Sequence, residues 1–260
     1  MPGPKTHDIF YHQLKTKLNA NTLSSFKNYD DYSVFAQGHD FFIYYNFYKI
    51  WNQKKLDQNV QESVLLQEHK FQEFVYQYLK SASNSGAIED EQTRLFIGPG
   101  YVMHHMLDAY THPYIIYYAG DHTRDPKNKT WQHGIVENLL DIYMMEKFEF
   151  VDPKTYPVHL EFDQQRKVSS SLVNTLNESL EKTYGIINGG NKIEIAIHQM
   201  PLFMKTLKFD KHGIKKVIFD SLDPLLKGTS SFSYHRDVEA ANLYLNEEHE
   251  VWLHPMYESI

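Results

Sequence analysis

The chain has 260 residues, with 26 basic and 33 acidic side chains, a net charge of −7 and no cysteine. The absence of thiols excludes disulfides and thiolate-ligated metals, so any bound metal must be held by His, Asp and Glu. An apolar content of 42% argues against a disordered chain, and the acidic balance disfavours binding to duplex nucleic acid.

The N-terminal residues, from Met1 to His7, contain no apolar segment of the kind found in secretory signals. The longest apolar stretches lie around residues 41–45 and 114–119 and are much shorter than the roughly 18 residues that a membrane span needs. We therefore expect no transmembrane segment and a cytoplasmic location.

Apolar residues recur at three- and four-residue spacing through most of the chain, which predicts an all-α fold. The predicted helices cover residues 8–19, 58–82, 90–118, 130–148, 164–184, 191–206 and 234–250. The turn signals between them, such as Asn188-Gly189-Gly190, are short, and none separates segments of different composition. We therefore predict one all-α domain, a multi-helix bundle over residues 1–260.

Histidine is concentrated in one part of the chain. Five of the fifteen histidines fall within thirty residues, at His104, His105, His112, His122 and His133. The residues His104, Asp108 and His112 recur every four positions, and four residues of a helix turn about 400°, so their side chains form a ladder on one face.

A second ladder of the same spacing follows at His133, Glu137 and Asp141. Two facing ladders of imidazole and carboxylate are able to bind more than one metal ion. Because the opposite helix faces are apolar, we expect the ladders to lie where helices pack together. The alternatives are a solvated helix face or hydrogen-bonded core histidines. His105 and His122 lie off the ladders, and we expect His105 beside the ligands or at the surface and His122 in solvent.

These motifs resemble those of the zinc-dependent phospholipases C of bacteria, which are related in fold to the fungal single-strand nucleases. The resemblance rests on His-x-x-x-Asp at His104 and Asp108, on His112, and on His-x-x-x-Glu at His133 and Glu137. Three further positions match ligands of the family, namely His7, Asp40 and His69.

The resemblance implies an all-helical fold with two or three zinc ions clustered in a cleft between helices. One ion would be bound by Asp40, His69, His104 and Asp108, a second by His112, His133 and Glu137, and a third by His7 and a bridging Asp108. The third ion is expected to bind more weakly, since Met1 and Pro2 stand where the secreted members have an N-terminal Trp.

The same resemblance implies hydrolysis of phosphodiesters, with a metal-activated water or hydroxide attacking phosphorus and Asp40 acting as the catalytic base. The expected substrate is a small phosphodiester or phospholipid. The alternatives are a single-strand nuclease or nucleotidase on the same scaffold, and a helical metal-binding protein without catalytic activity. The dipeptide His39-Asp40 would, by itself, also suit the all-α HD phosphohydrolases.

Overall fold

The computed structural model describes residues 3–17, 32–49, 53–120, 130–149, 151–152, 155–162, 167–207 and 212–226. All regular elements in these ranges are helices, and no β-strand occurs among them. The predicted all-α fold is confirmed. The predicted helix at residues 234–250 lies outside the described residues.

The α-helices follow one another in this order: α1 (Pro4–Lys15), α2 (Tyr32–Phe35), α3 (Phe41–Tyr44), α4 (Gln53–Glu68), α5 (Phe71–Asn84), α6 (Glu91–Leu95), α7 (Met103–Ala119), α8 (Thr130–Met144), α9 (His159–Phe162), α10 (Ser170–Tyr184), α11 (Gly189–Leu207) and α12 (Ile214–Leu226). Short 3-10 turns cover Gly38–Asp40, Phe47–Lys49 and Ala87–Glu89, and π-helical segments cover Phe96–Val102 and Met145–Glu149. Within these ranges, no helix combines the length and the apolarity that crossing a membrane requires.

The chain divides into two compact units. The first unit contains the described residues of Met1–His12, Met106–Val158 and Met204–Ile260, and the second contains those of Gln13–His105 and His159–Phe203. Helix α7 begins in the second unit and continues in the first from Met106 onward.

The core of the second unit forms where α5 packs against α10. Its buried side chains include Phe74 and Tyr78 of α5 and Leu172, Leu176 and Leu180 of α10. The predicted helix over 58–82 is divided into α4 and α5, because Lys70 adopts a left-handed backbone with φ of 53° that no helix can continue through.

The core of the first unit lies between α7 and α8. Ile115 and Ala119 of α7 contact Val136 of α8, and the partly buried Tyr114 and Leu140 pack against them. This packing fixes the two helices that carry the histidine ladders within one unit from Met106 onward.

Candidate metal sites

Helix α7 carries the first ladder on its buried side. His104, Asp108 and His112 lie one turn apart and are 2%, 1% and 8% exposed. The neighbouring apolar side chains Met106 and Tyr110 are instead 42% and 76% exposed. The first ladder therefore lies on the packed side of α7, as expected, and Met106 and Tyr110 lie on its exposed side.

In the second unit, His104 is held in one tautomer by the backbone. Its Nδ1 lies 2.8 Å from the carbonyl oxygen of Ala36, and because a carbonyl only accepts, Nδ1 carries the proton. The neutral ring therefore keeps its lone pair on Nε2, as metal-binding histidines do. This Nε2 atom lies 3.8 Å from Oδ2 of Asp40.

Asp40 reaches His104 through a tight turn. Gly38 opens this turn with φ of +50°, and a Cβ atom at that position would lie 2.7 Å from Cγ of His104. Both the left-handed backbone and the close approach of the imidazole therefore require glycine. Asp40 itself is buried and accepts a hydrogen bond of 3.3 Å from Oγ of Ser63.

His39 is buried in the same turn, with 0% exposure. Its ring lies edge-on to His104, with the ring centroids 4.4 Å apart. Nδ1 of His39 lies 3.4 Å from Oγ of Ser63 and 3.5 Å from Oδ1 of Asp40. The turn and α7 therefore gather two imidazoles and one carboxylate in the second unit.

The first unit contains the second pairing of imidazole with carboxylate. Nε2 of His7, on α1, lies 3.3 Å from Oδ1 of Asp108, and both side chains are buried. Ligand atoms on a tetrahedral zinc ion, at about 2.1 Å from the metal, are about 3.4 Å apart. The His7–Asp108 and Asp40–His104 separations therefore fit donors that share an ion.

The start of α1 is held by Asp141 of α8. One carboxylate oxygen accepts bonds of 2.8 Å from both the amide and the hydroxyl of Thr6, and the other accepts from the amide of Lys5 at 3.2 Å. The backbone at Gly3 lies so close that a Cβ atom would meet the carboxylate at 2.4 Å. Asp141 thus caps the helix that carries His7.

Three more of the predicted ligands lie together in the first unit. Nδ1 of His112 donates to the backbone carbonyl of Asp108 at 3.0 Å, and the His112 and His133 ring centroids are 5.4 Å apart. Nε2 of His133 lies 2.8 Å from Oε1 of Glu137, one turn further along α8.

The electrostatics of this trio suit a cation. Burial lowers the pKa of His112 well below its ordinary value, so the ring is neutral at physiological pH. Burial by itself would raise the pKa of Glu137, but nearby positive charge and the hydrogen bond from His133 outweigh it and lower that pKa to about 2. Glu137 is therefore ionised, and the neutral imidazole of His112 lies on α7.

Two of the predicted residues lie apart from these groups. His69 follows the end of α4 and is exposed, and its carbonyl oxygen accepts a bond of 2.8 Å from the hydroxyl of Tyr184. Within the described ranges, the groups of three or more ligand atoms within 4.8 Å of one another contain neither His69 nor the His112, His133 and Glu137 trio. An ion shared by that trio would require a change of side-chain rotamers. His122 lies outside the described residues.

His105 lies off the ladder, as expected. Its ring stacks on Phe71 of α5, with centroids 3.9 Å apart and 14° between the planes. Sequence reasoning missed the roles of Ser63 and Asp141. Ser63 lies 23 residues from Asp40 and belongs to no spacing pattern, whereas Asp141 has the ladder spacing but bonds to backbone amides.

Comparisons of the chain with models of protein families, with curated proteins and with solved structures give no match. Nitrogen and oxygen donors without sulfur suit zinc and other divalent transition metals.

Proposed function

We propose that the chain is a zinc-dependent hydrolase of phosphodiester bonds, similar to the phospholipases C, that binds two or three zinc ions. The observation that carries the proposal is the burial of His104, Asp108 and His112 on a helix that leaves Tyr110 exposed. Burying ionisable groups is costly unless they are paired or bind metal, so a helix with this orientation is well explained by ligand binding.

The tautomers of two ladder histidines support metal binding. The carbonyl groups of Ala36 and Asp108 each accept from an Nδ1 atom, which leaves Nε2 of His104 and His112 as a lone-pair donor. Such backbone partners orient the ligands of known metal sites. Both histidines of the first ladder therefore have the tautomer that an Nε2 ligand needs.

Zinc, when bound, would polarise phosphoryl oxygens and lower the pKa of a bound water. The side chains of the protein would hold the ligand atoms in place and provide the base that accepts a proton. Asp40 is the candidate base, and the Ser63 hydroxyl donates to one of its oxygens and orients the carboxylate. The assignment of this role to Asp40 rests on the resemblance to the phospholipases C.

The charge of the chain favours a small substrate. A net charge of −7 with only four arginines leaves little positive surface for a long polyanion, whereas a single phosphodiester group needs only the metal charge. We therefore propose a small phosphodiester or a phospholipid as substrate, not duplex nucleic acid.

The test combines metal content with turnover. The purified full-length chain is saturated with zinc, dialysed and measured by elemental analysis, and it is then assayed on p-nitrophenyl phosphocholine and on a single-stranded oligonucleotide. We expect at least two zinc ions per chain and faster cleavage of the phosphocholine ester. Asp108→Asn should lower both values, while Glu181→Gln, the same charge change at an exposed position, should leave them unchanged.

Each contrary outcome points to a different function. Faster cleavage of the oligonucleotide at equal zinc content would support a nuclease. Zinc binding without hydrolysis of either substrate would support a non-catalytic metal-binding protein. A chain that stays free of metal would refute the proposal.

A further inference from the structure

We propose that His39 is a metal ligand of the second unit and takes the place that the resemblance gives to His69. The inference rests on the proposed metal-binding function and concerns which imidazole joins Asp40 and His104. Of the two histidines, only His39 is buried in the turn that presents Asp40, whereas His69 is exposed.

The distances place His39 within reach of the other two donors. One ring nitrogen of His39 and one of His104 lie within 4.8 Å of each other. Asp40 lies beside both rings, with Oδ1 3.5 Å from Nδ1 of His39 and Oδ2 3.8 Å from Nε2 of His104. His39, Asp40 and His104 are not among the groups of the described residues whose ligand atoms all lie within 4.8 Å of one another, so an ion bound by all three would require a side chain such as Asp40 to change rotamer.

A chain of hydrogen bonds defines the tautomer of His39. The Ser63 hydroxyl gives its proton to Oδ1 of Asp40, so the oxygen of Ser63 is left as an acceptor toward Nδ1 of His39. With Nδ1 protonated, the neutral ring keeps its lone pair on Nε2. His39 is thereby prepared as an Nε2 ligand in the same way as His104.

The alternative is that His39 merely fills the core, where its ring also lies near Tyr101 at 6.1 Å between centroids. A core-packing role and a metal-binding role of His39 predict different metal contents for variants at this position. A packing residue affects stability alone, while a ligand changes the number of ions bound by a chain that is still folded.

The experiment compares four variants of the full-length chain. His39→Gln keeps most of the side-chain volume, His39→Ala removes it, and His69→Ala tests the rival assignment. His198→Ala removes an exposed imidazole of the same unit and serves as the matched control. Circular dichroism verifies the helical content of each variant before zinc is counted by elemental analysis. Cobalt is then substituted, and its visible spectrum reports the ligands.

We expect both His39 variants to lose about one zinc ion per chain and to change the cobalt spectrum, while His69→Ala and His198→Ala keep the wild-type count and spectrum. Ser63→Ala, which removes only the orienting hydroxyl, should weaken zinc binding by about 10- to 100-fold and retain the full count at saturating zinc.

The inference is overturned if folded His39→Gln keeps the full zinc count and the cobalt spectrum of the wild type. Loss of an ion in His69→Ala would have the same effect and would restore the family assignment. These results are separate from a failure of the proposed function, which would appear as an absence of zinc in the wild-type chain.

Discussion

Asp141 offers the sharpest test of how the first unit supports His7. Replacing Asp141 with Ala removes the acceptor of three buried donors, namely the amides of Lys5 and Thr6 and the hydroxyl of Thr6. Each buried donor left without a partner costs about 1–3 kcal/mol, and loss of the charge at the helix N-terminus costs about 0.5 kcal/mol more. Water entering the space will recover part of this energy, so we expect a loss of about 3–5 kcal/mol.

The magnitude is large beside the total stability of a domain, which is about 5–15 kcal/mol. Urea unfolding followed by circular dichroism measures it directly. Asp141→Asn keeps one carbonyl acceptor and should lose about 1–2 kcal/mol, and Thr6→Val removes one hydrogen bond and should lose about 1 kcal/mol. The exposed Glu181→Ala is the control and should change stability by less than about 0.5 kcal/mol.

The same series links the cap to the metal. His7 follows Thr6 directly, so a frayed α1 should weaken zinc binding between His7 and Asp108 and leave the His112 region of the unit occupied. Zinc affinity should therefore increase from Asp141→Ala to Asp141→Asn to the wild type, in the same order as stability. If Asp141→Ala unfolds within about 0.5 kcal/mol of the wild type, the carboxylate does not hold the helix and the reasoning fails.

Further predictions concern the ligands and the turn. Gly38→Ala should lower the free energy of unfolding by about 1–3 kcal/mol and reduce the zinc content, because the added Cβ strains the backbone and also crowds the His104 imidazole. Gly86→Ala is the control, because Gly86 has a similar positive φ but no neighbouring atom that a Cβ would meet, so this variant measures the backbone strain by itself. Equal losses in urea unfolding would show that crowding is unimportant. Asp108→Asn should lower the zinc count by at least one ion and Glu137→Gln by one, whereas His105→Ala should leave it unchanged. A full zinc count in Asp108→Asn together with a reduced zinc count in His105→Ala would show that the ligands lie on the face of α7 that carries His105. Chelation should lower the melting temperature of the wild type, because an ion bound only to the folded state stabilises it by mass action; an unchanged melting temperature would contradict ligation by buried residues.

Helical periodicity predicts much of this fold because the helices are long and bury one side. The pattern over 130–148 corresponds closely to α8 and its π-helical extension, and the pattern over 191–206 to α11. Helix α12 was missed although Ile214, Val217 and Ile218 have helical spacing. The pattern also fails to reveal the interruption at Lys70, since apolar spacing continues across the single left-handed residue.

Periodicity defines the faces of a helix but not which face is buried. On α7 both an ionisable and an apolar face have helical spacing, and the structure buries Asp108 and exposes Tyr110. Hydrophobic burial alone favours the opposite rotation by about 2 kcal/mol for each large side chain. The observed rotation therefore depends on polar partners that lie far away in the sequence, such as the carbonyl of Ala36.

The residues that orient the ligands were the hardest to predict, and the reason is chemical. A metal ligand must be one of a few side-chain types, so spacing alone brings His104 and His112 to attention. An orienting group need only be an acceptor, and every residue has a carbonyl, so nothing in the sequence distinguishes Ala36 from its neighbours. The carbonyls that fix these two imidazoles come from different sources, one from a distant turn and one from the preceding turn of α7 itself. The first depends on tertiary structure and will be lost when the Gly38 turn is disturbed, while the second persists as long as the helix does. Disturbing the turn should consequently affect His104 and Asp40 before it affects His112.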